Sequence, residues 1–347
     1  MKRLATADLH LSSYSTQKQK NGISVIIHDI FSSVIQMCNY AKSNRIKNID
    51  ILGDISHDKN IFYTKPFIEF RKFLKDNSDI IFTFLGGNHD LSDTSDFPIS
   101  SIEGFSDIPN VICHTVMFID DQLEIAWIPF SKNIKEKINL VSNCKILLSH
   151  FGLNEAMLSS GISITADVKI RDLKKFKLVL LGHYHKPQNI ENVYYVGSPV
   201  QLNWGEKNEQ KRFVVYDTEN LNVQSINFEG YTKHIELIIN NEEEVKSVLE
   251  QEKILKQQGN YVRIKNLLSK EIIAEGVHIL NNVEKDFTNR GIDLNMPVEE
   301  KLQRYLQIKD IKNQKYLQTG RMLSKGVSVT YDSIFSNVFE IEDELTL

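Results

Sequence analysis

The sequence predicts a layered α/β protein, and three observations carry that expectation. Strand-like and helix-like segments alternate through the N-terminal part of the chain. A series of short apolar strands takes over from Asn110. Five polar clusters each stand directly after an apolar run. Strand–helix alternation places helices on the faces of a sheet, and the later strands call for a second sheet packed on the first.

In chain order, "RLATADLH" reads as a strand running into a polar turn. "GISVIIHDIFSSVIQMCNYAK" carries Ile23, Ile27, Ile30, Phe31, Val34, Cys38 and Ala41 at helical spacing. Next come a strand in "NIDILGD", a helix in "KPFIEFRKFLKD" and a strongly apolar strand in "DIIFTFLGGNHD". From Asn110, "NVICHTVMF", "LEIAWIPF", "CKILLSH", "KLVLLGH", "NVYYVGS", "RFVVYD" and "VQSINFE" read as short strands of the second sheet.

Beyond Tyr231, "KHIELII", "NNEEEVKSVLEQEKILKQQ" and "YVRIKN" predict a small αβ unit that extends to Asn295. "MPVEEKLQRYLQI" then sets Val298, Leu302, Tyr305 and Leu306 on one helical face, with Pro297 suited to a first turn. A second helix over "NQKYLQTGRML" completes a pair, and the tail "FEIEDELTL" is acidic. The expected division is therefore 1–230, 231–295 and 296–347.

At 347 residues and 41% hydrophobic, the chain can bury a sizeable core and form more than one domain. A formal net charge of −4 excludes a polycation that holds nucleic acid by bulk electrostatics. A nucleic-acid enzyme of this charge needs divalent metals or a local basic stripe. No apolar stretch is long enough for a membrane span, and no signal segment opens the chain. Cys38, Cys113 and Cys144 are odd in number and form no Cys-x-x-Cys pair, which argues against a disulfide framework or thiolate zinc site. They read as small buried hydrophobes in a reduced cytoplasmic protein.

The five clusters are Asp8-x-His10, Asp54, Asn88-His89-Asp90, His150 and His183-x-His185. Together with His57, they gather six of the ten histidines. In open α/β sheets the crevice beyond the carboxyl ends of the strands is where ligands bind. Two aspartates, one asparagine and four histidines (Asp8, His10, Asp54, Asn88, His150, His183, His185) offer oxygen and nitrogen donors without a thiolate. Such a set suits manganese, iron or zinc. It is too large for one tetrahedral ion and fits two ions sharing a carboxylate, roughly 3.5–4 Å apart, the arrangement that clamps a phosphoryl displacement. Gly53, Gly86, Gly87 and Gly182 permit sharp turns and close backbone approach at these strand ends. Each cluster alone has an ordinary alternative: a capped turn for "GNHD", a packed histidine for His150. Their ordered conjunction is what points to metal chemistry.

That order, D-x-H, GD, GNHD, H and GHxH, resembles the signature of the calcineurin-like metallophosphoesterases. The resemblance implies two mixed β-sheets packed as a sandwich flanked by helices. It implies two divalent ions, with Mn2+ the leading candidate. Asp8, His10, Asp54 and His185 would hold one ion, and Asp54, Asn88, His150 and His183 the other, with Asp54 bridging. His89 would act beside the leaving group without binding metal, and Asp90 would orient a neighbouring histidine. "GDISHD" lacks the arginine of the protein serine/threonine phosphatases. "ADLHLS" and "YYVGSPVQLNWGEKNEQKRFVVYD" are instead similar to SbcD-type DNA repair nucleases, and the compact length to their bacteriophage members. In many of these, a histidine at the position of His57 helps place the scissile phosphate.

The chain departs from that family at Ala7 and Ser12, neither of which would supply a ligand. The implied activities are double-strand 3′-to-5′ exonuclease and single-strand endonuclease on DNA. Residues 231–295 would form a DNA-binding cap. The helical pair of 296–347 would dock on an SMC-like coiled-coil ATPase of the SbcC type, since the chain has no G-x-x-x-x-G-K-[ST] loop of its own. The Val298–Leu306 stripe could equally pack on its own domain. A homodimer is open, a membrane is not expected, and the location is the cytoplasm of a bacterial or infected host cell. Two rivals stand: a small-molecule phosphodiesterase or nucleotide pyrophosphatase on the same scaffold, and a non-catalytic scaffold subunit.

Overall fold

A computed structural model describes residues 1–14, 19–93, 95, 98–159 and 165–281; the helical pair and acidic tail expected at 296–347 lie outside the described residues. The chain opens with β1 (Lys2–Thr6), the hairpin β2 (Gln19–Lys20) and β3 (Ile23–Ser24), α1 (Val25–Ser43), β4 (Asn48–Leu52), α2 (Thr64–Asp76) and β5 (Ile81–Leu85). It continues with β6 (Val111–His114), β7 (Phe118–Asp120), β8 (Ile125–Ile128), α3 (Ile134–Leu140), β9 (Ile146–His150) and β10 (Leu178–Gly182). Then follow β11 (Gln188–Ile190), β12 (Val193–Tyr195), β13 (Arg212–Asp217), β14 (Val223–Asn227), β15 (His234–Ile239), α4 (Glu244–Gln257), β16 (Tyr261–Asn266) and β17 (Ile279–Asn281).

Two six-stranded mixed sheets dominate, in the orders β14-β13-β1-β4-β5-β6 and β11-β12-β10-β9-β8-β7. In the first, β1, β4, β5 and β6 run parallel; in the second, β8, β9, β10 and β12 do. Three strands that the sequence assigned to the second sheet belong to the first. β6 extends it beside β5, and β13 returns antiparallel to β1, with Leu4 opposite Val215 and β14 outside it. Local pattern identifies a strand, whereas its neighbour is set by contacts distant in sequence.

Period-2 alternation sorts the side chains into layers. On β1 and β4, Leu4, Ile49 and Ile51 face one core, which the apolar faces of α1 and α2 cover. Ala5 and Leu52 face the other way, meeting Ile146, Leu148, Leu178 and Leu180 of the second sheet. Leu147, Val179 and Leu181 point outward to a third core shared with Ile134 and Ile138 of α3. The result is a helix–sheet–sheet–helix sandwich. Each Leu or Ile buried between the sheets contributes roughly 1.5–3 kcal/mol. Ser24 caps α1 by accepting the Ile27 N–H at 3.3 Å, so the apolar face begins on β3 and continues into the helix.

One polar network crosses the inter-sheet layer. Asp50, fully buried, accepts from Arg3 Nε at 2.9 Å and from Tyr216 Oη at 2.7 Å. Burial lowers the affinity of Arg3 for its proton, but the Asp50 carboxylate more than reverses this and keeps it charged. Further along, β15 and β16 pair in parallel with α4 against them, and β17 adjoins β16. Among the described residues, Met1–Leu267 and Ile272–Leu280 form one compact unit. Among the described residues, no helix is long and apolar enough to cross a membrane.

Candidate metal centre

The parallel strands of both sheets deliver their C-terminal ends to one seam. β1 leads to Asp8 and His10, β4 to Asp54, and β5 to Asn88, His89 and Asp90. β9 ends on His150, and β10 ends on Gly182, which pairs with His150 just before His183 and His185. The turns interlock: Asp8 N–H donates to Gly53 O at 3.0 Å and His10 N–H to Asp54 O at 2.9 Å.

Four of these residues adopt left-handed backbone, Asp8 at φ 56°, His10 at 49°, Asp54 at 54° and His183 at 91°. Non-glycine residues rarely do so, and each costs on the order of 1–3 kcal/mol, so such strain collects at functional sites. Gly182 serves close approach: a Cβ there would lie 2.1 Å from Leu52 O and 2.7 Å from His150 Nδ1. Gly86 is less confined: a Cβ there would meet the Ser100 side chain first, at 3.3 Å, which a shift of a few tenths of an ångström would relieve.

The seam holds three donor sets, Asp8–His10–His185, His10–Asp54–His89 and Asp54–His150–His183, each with ligand atoms within 4.8 Å of one another. His10 and Asp54 are shared between sets. Asp54 Oδ2 lies 3.2 Å from His150 Nε2 and 3.8 Å from His10 Nε2, between the two ends of the cluster. Its other oxygen accepts the His89 N–H at 2.8 Å.

The proton pattern tests whether a cation fits. His150 Nδ1 donates to Leu52 O at 2.8 Å, which turns its Nε2 into the seam; burial pushes the ring down, but Asp54 outweighs it and raises the ring to about 9. That Nε2 faces Asn88 Oδ1 at 3.0 Å as well as Asp54, and His183 Nδ1 approaches the same Asn88 oxygen at 2.9 Å. At the other end, His185 Nδ1 pairs with Glu206 Oε1 at 2.8 Å, turning its Nε2 toward His10 Nε2 at 3.0 Å. Carboxylate oxygens, an amide oxygen and imidazole nitrogens converge here, and these residues fit divalent ions of the oxygen- and nitrogen-preferring kind.

Electrostatics agree. Burial pushes Asp54 up, but the imidazoles of His150, His10 and His89 outweigh it and hold the carboxyl well below its usual range. Burial raises Asp8 to about 6 despite His150 and His185. Burial, reinforced by His150, lowers His183 to about 3, keeping it a neutral donor.

All ten residues singled out from the sequence thus gather at one seam. His57 sits with Nδ1 3.3 Å from His10 Nδ1, and its backbone carbonyl accepts from His89 Nδ1 at 2.5 Å. Asp90 behaves differently from expectation. Among the described residues it accepts from the backbone N–H of Ser56 at 2.9 Å, Gly87 at 2.9 Å and Ile55 at 3.3 Å, not from an imidazole. It folds back beneath its own turn and ties the β4 and β5 loops together; burial, then Asp54, raises its carboxyl to about 6. Sequence reading missed Glu206 and Lys211. Their only signal was an acidic residue and a basic one downstream of the glycine-serine turn, in "WGEKNEQKRF".

Comparison with known proteins places this seam in context. The family model described as calcineurin-like phosphoesterase matches residues 1–187. Exonuclease subunit 1 of Enterobacteria phage T4 is 28% identical over 230 residues, 63% of this chain and 65% of its own length. The SbcD component of nuclease SbcCD from Staphylococcus epidermidis is 25% identical over 159 residues, 43% of this chain and 42% of its own. The chain therefore spans less than two thirds of either relative. A solved archaeal phosphodiesterase aligns over 66% of this chain and all of its own, with 12% identity and a TM-score of 0.35. The family match covers more than half of the chain and includes every donor of the seam: the protein belongs to the calcineurin-like phosphoesterase family.

Proposed function

We propose that this phosphoesterase is a Mn2+-dependent DNA nuclease, a double-strand 3′-to-5′ exonuclease and single-strand endonuclease. The observation that carries the metal reading is Asp54 Oδ2, lying between His150 Nε2 and His10 Nε2 and joining two donor sets. Asp8, His10, Asp54 and His185 would hold one ion, and Asp54, Asn88, His150 and His183 the other. Bound there, two divalent ions supply Lewis-acid polarisation and charge neutralisation at a phosphorus centre.

The rest falls to the chain itself. His89, oriented through Nδ1 by the His57 carbonyl, keeps Nε2 for a proton to the departing 3′-oxygen. Asp90 holds the turns that carry Asp54 and Asn88 in register. A nucleic acid as substrate, here proposed to be DNA, is supported by the two relatives whose names are exonuclease and nuclease. The second relative's name, a subunit of SbcCD, supports a partner subunit; the partner proposed is an SMC-like ATPase of the SbcC type, with residues 296–347 as the docking segment.

The test supplies the protein with Mn2+, a labelled DNA hairpin and, separately, a cyclic nucleotide, with and without a coiled-coil ATPase. Mn2+-dependent cutting of the hairpin is expected. Cyclic-nucleotide turnover with the DNA intact would replace this reading by a small-molecule phosphodiesterase. Deleting 296–347 should preserve Mn2+ binding and abolish ATPase association; persistence of the complex would refute the docking segment.

A further inference from the structure

We propose that Glu206 is a positioning residue of the metal centre, fixing the tautomer and rotation of His185, and that Lys211 holds its carboxylate in place. The inference rests on the reading that His185 binds a metal ion.

Glu206 is 1% exposed and Lys211 fully buried. Glu206 Oε1 meets His185 Nδ1 at 2.8 Å and also accepts from Asn203 Nδ2 at 3.1 Å. Its Oε2 accepts from Lys211 Nζ at 2.8 Å and from the Leu202 N–H at 3.2 Å. Lys211 Nζ reaches Glu209 Oε2 at 2.7 Å and the backbone carbonyl of His185 at 2.9 Å. The ammonium thus ties the main chain of His185 to the carboxylate that receives its side chain.

Burying charges this deeply costs several kcal/mol per ion unless every partner is in place. Glu209 alone would neutralise Lys211, so charge balance does not require Glu206. What Glu206 adds is an acceptor aimed at one imidazole nitrogen. A carboxylate there keeps the proton on Nδ1, leaves the Nε2 lone pair for a metal and raises the basicity of the ring. The turn that carries Glu206 is itself anchored. Asn203 caps the Trp204–Glu206 helix by accepting the Gly205 N–H at 2.7 Å, and the Arg263 guanidinium of β16 lies 4.3 Å over the Trp204 ring.

The experiment titrates Mn2+ into the full chain and its variants by calorimetry, with ion counts by elemental analysis. Glu206→Ala should weaken one of the two ions by about 10–100-fold and leave the other unchanged. Glu206→Gln, which keeps the volume and one acceptor, should weaken the same ion less. His185→Ala should lose that same ion. In the nitrogen-15 spectrum of the metal-free protein, the His185 ring of Glu206→Ala should no longer be held as the Nδ1–H tautomer. Parental affinity for both ions in Glu206→Ala and Glu206→Gln would overturn the inference. So would an equal loss of both ions that tracks a loss of folded structure in both variants, since that marks a purely structural role. A parent chain that binds no pair of ions would instead sink the metal reading, and this inference with it.

Discussion

His89 donates its Nδ1–H to the backbone carbonyl of His57 across 2.5 Å. Because the acceptor is main chain, the bond survives any change of the His57 side chain. His89→Gln should lower DNA hydrolysis by ~10²–10⁴-fold, the usual worth of a positioned acid, while two Mn2+ ions still bind. His57→Ala should cost less, since His89 keeps its orientation. Turnover and calorimetry on the same preparations check this, and departure of an ion with His89 would make that residue a ligand.

The Arg3–Asp50 pair predicts a stability effect remote from the chemistry. Asp50→Ala strands the Arg3 guanidinium between the sheets, where Tyr216 and Thr83 supply no charge. Breaking a buried pair in this way should cost about 3–5 kcal/mol, seen as a lower urea midpoint at unchanged slope. The double change Arg3→Met with Asp50→Leu should recover most of the loss. If the double variant is no better than the single one, uncompensated charge is not the cause.

His234 predicts a pH dependence. It packs against the rings of Trp204 and Tyr261, and among the described residues its Nδ1 has no hydrogen-bond partner. Burial lowers its pKa to about 4, with Glu206 pulling up and Arg263 pushing down more weakly. The unfolded chain, with a histidine near 6.5, therefore takes up the proton first as pH falls. This contribution to stability is intact above about 6.5 and lost progressively toward 4. His234→Phe should flatten the fall in urea midpoint between pH 7 and pH 5; identical slopes in parent and variant would remove His234 as the cause.

Gly182→Ala brings a Cβ to 2.1 Å from Leu52 O, the carbonyl that receives the His150 Nδ1–H. The added methyl should destabilise by roughly 1–3 kcal/mol and weaken the ion held by Asn88, His150 and His183. Gly86→Ala, whose Cβ would meet the Ser100 hydroxyl at 3.3 Å and no backbone atom closer than that, serves as the milder comparison. Equal Mn2+ affinity in the two variants would show that close packing at Gly182 does not shape the site.

The donors were legible in the sequence because a ligand placed by a strand end must follow an apolar run. Asp8, Asp54, Asn88, His150 and His183 all do so, and α1 and α2 lie where helical spacing put them. Neighbour relations were not legible. β13 joins β1 across some two hundred residues of chain, a pairing that no local pattern encodes. α3 was also missed, its Ile134 and Ile138 being too few apolar positions to stand out among lysines. Glu206 escaped because its partner His185 reaches it only through a turn whose shape depends on Trp204, Arg263 and the Asn203 cap. Nor can a sequence announce backbone groups such as Leu52 O, which sets the His150 tautomer without any side chain of its own.

The donors are divided between the two sheets. Asp8, His10, Asp54 and Asn88 follow strands of one, and His150, His183 and His185 follow strands of the other. Neither sheet alone carries all of the proposed ligands, so metal affinity would be a property of the docked pair. Whatever free energy the ions gain on binding opposes separation of the sheets by the same amount. With ions held as proposed, the centre would be a clasp as well as a catalyst: chelation would loosen the sandwich, and prising the sandwich open would release the ions.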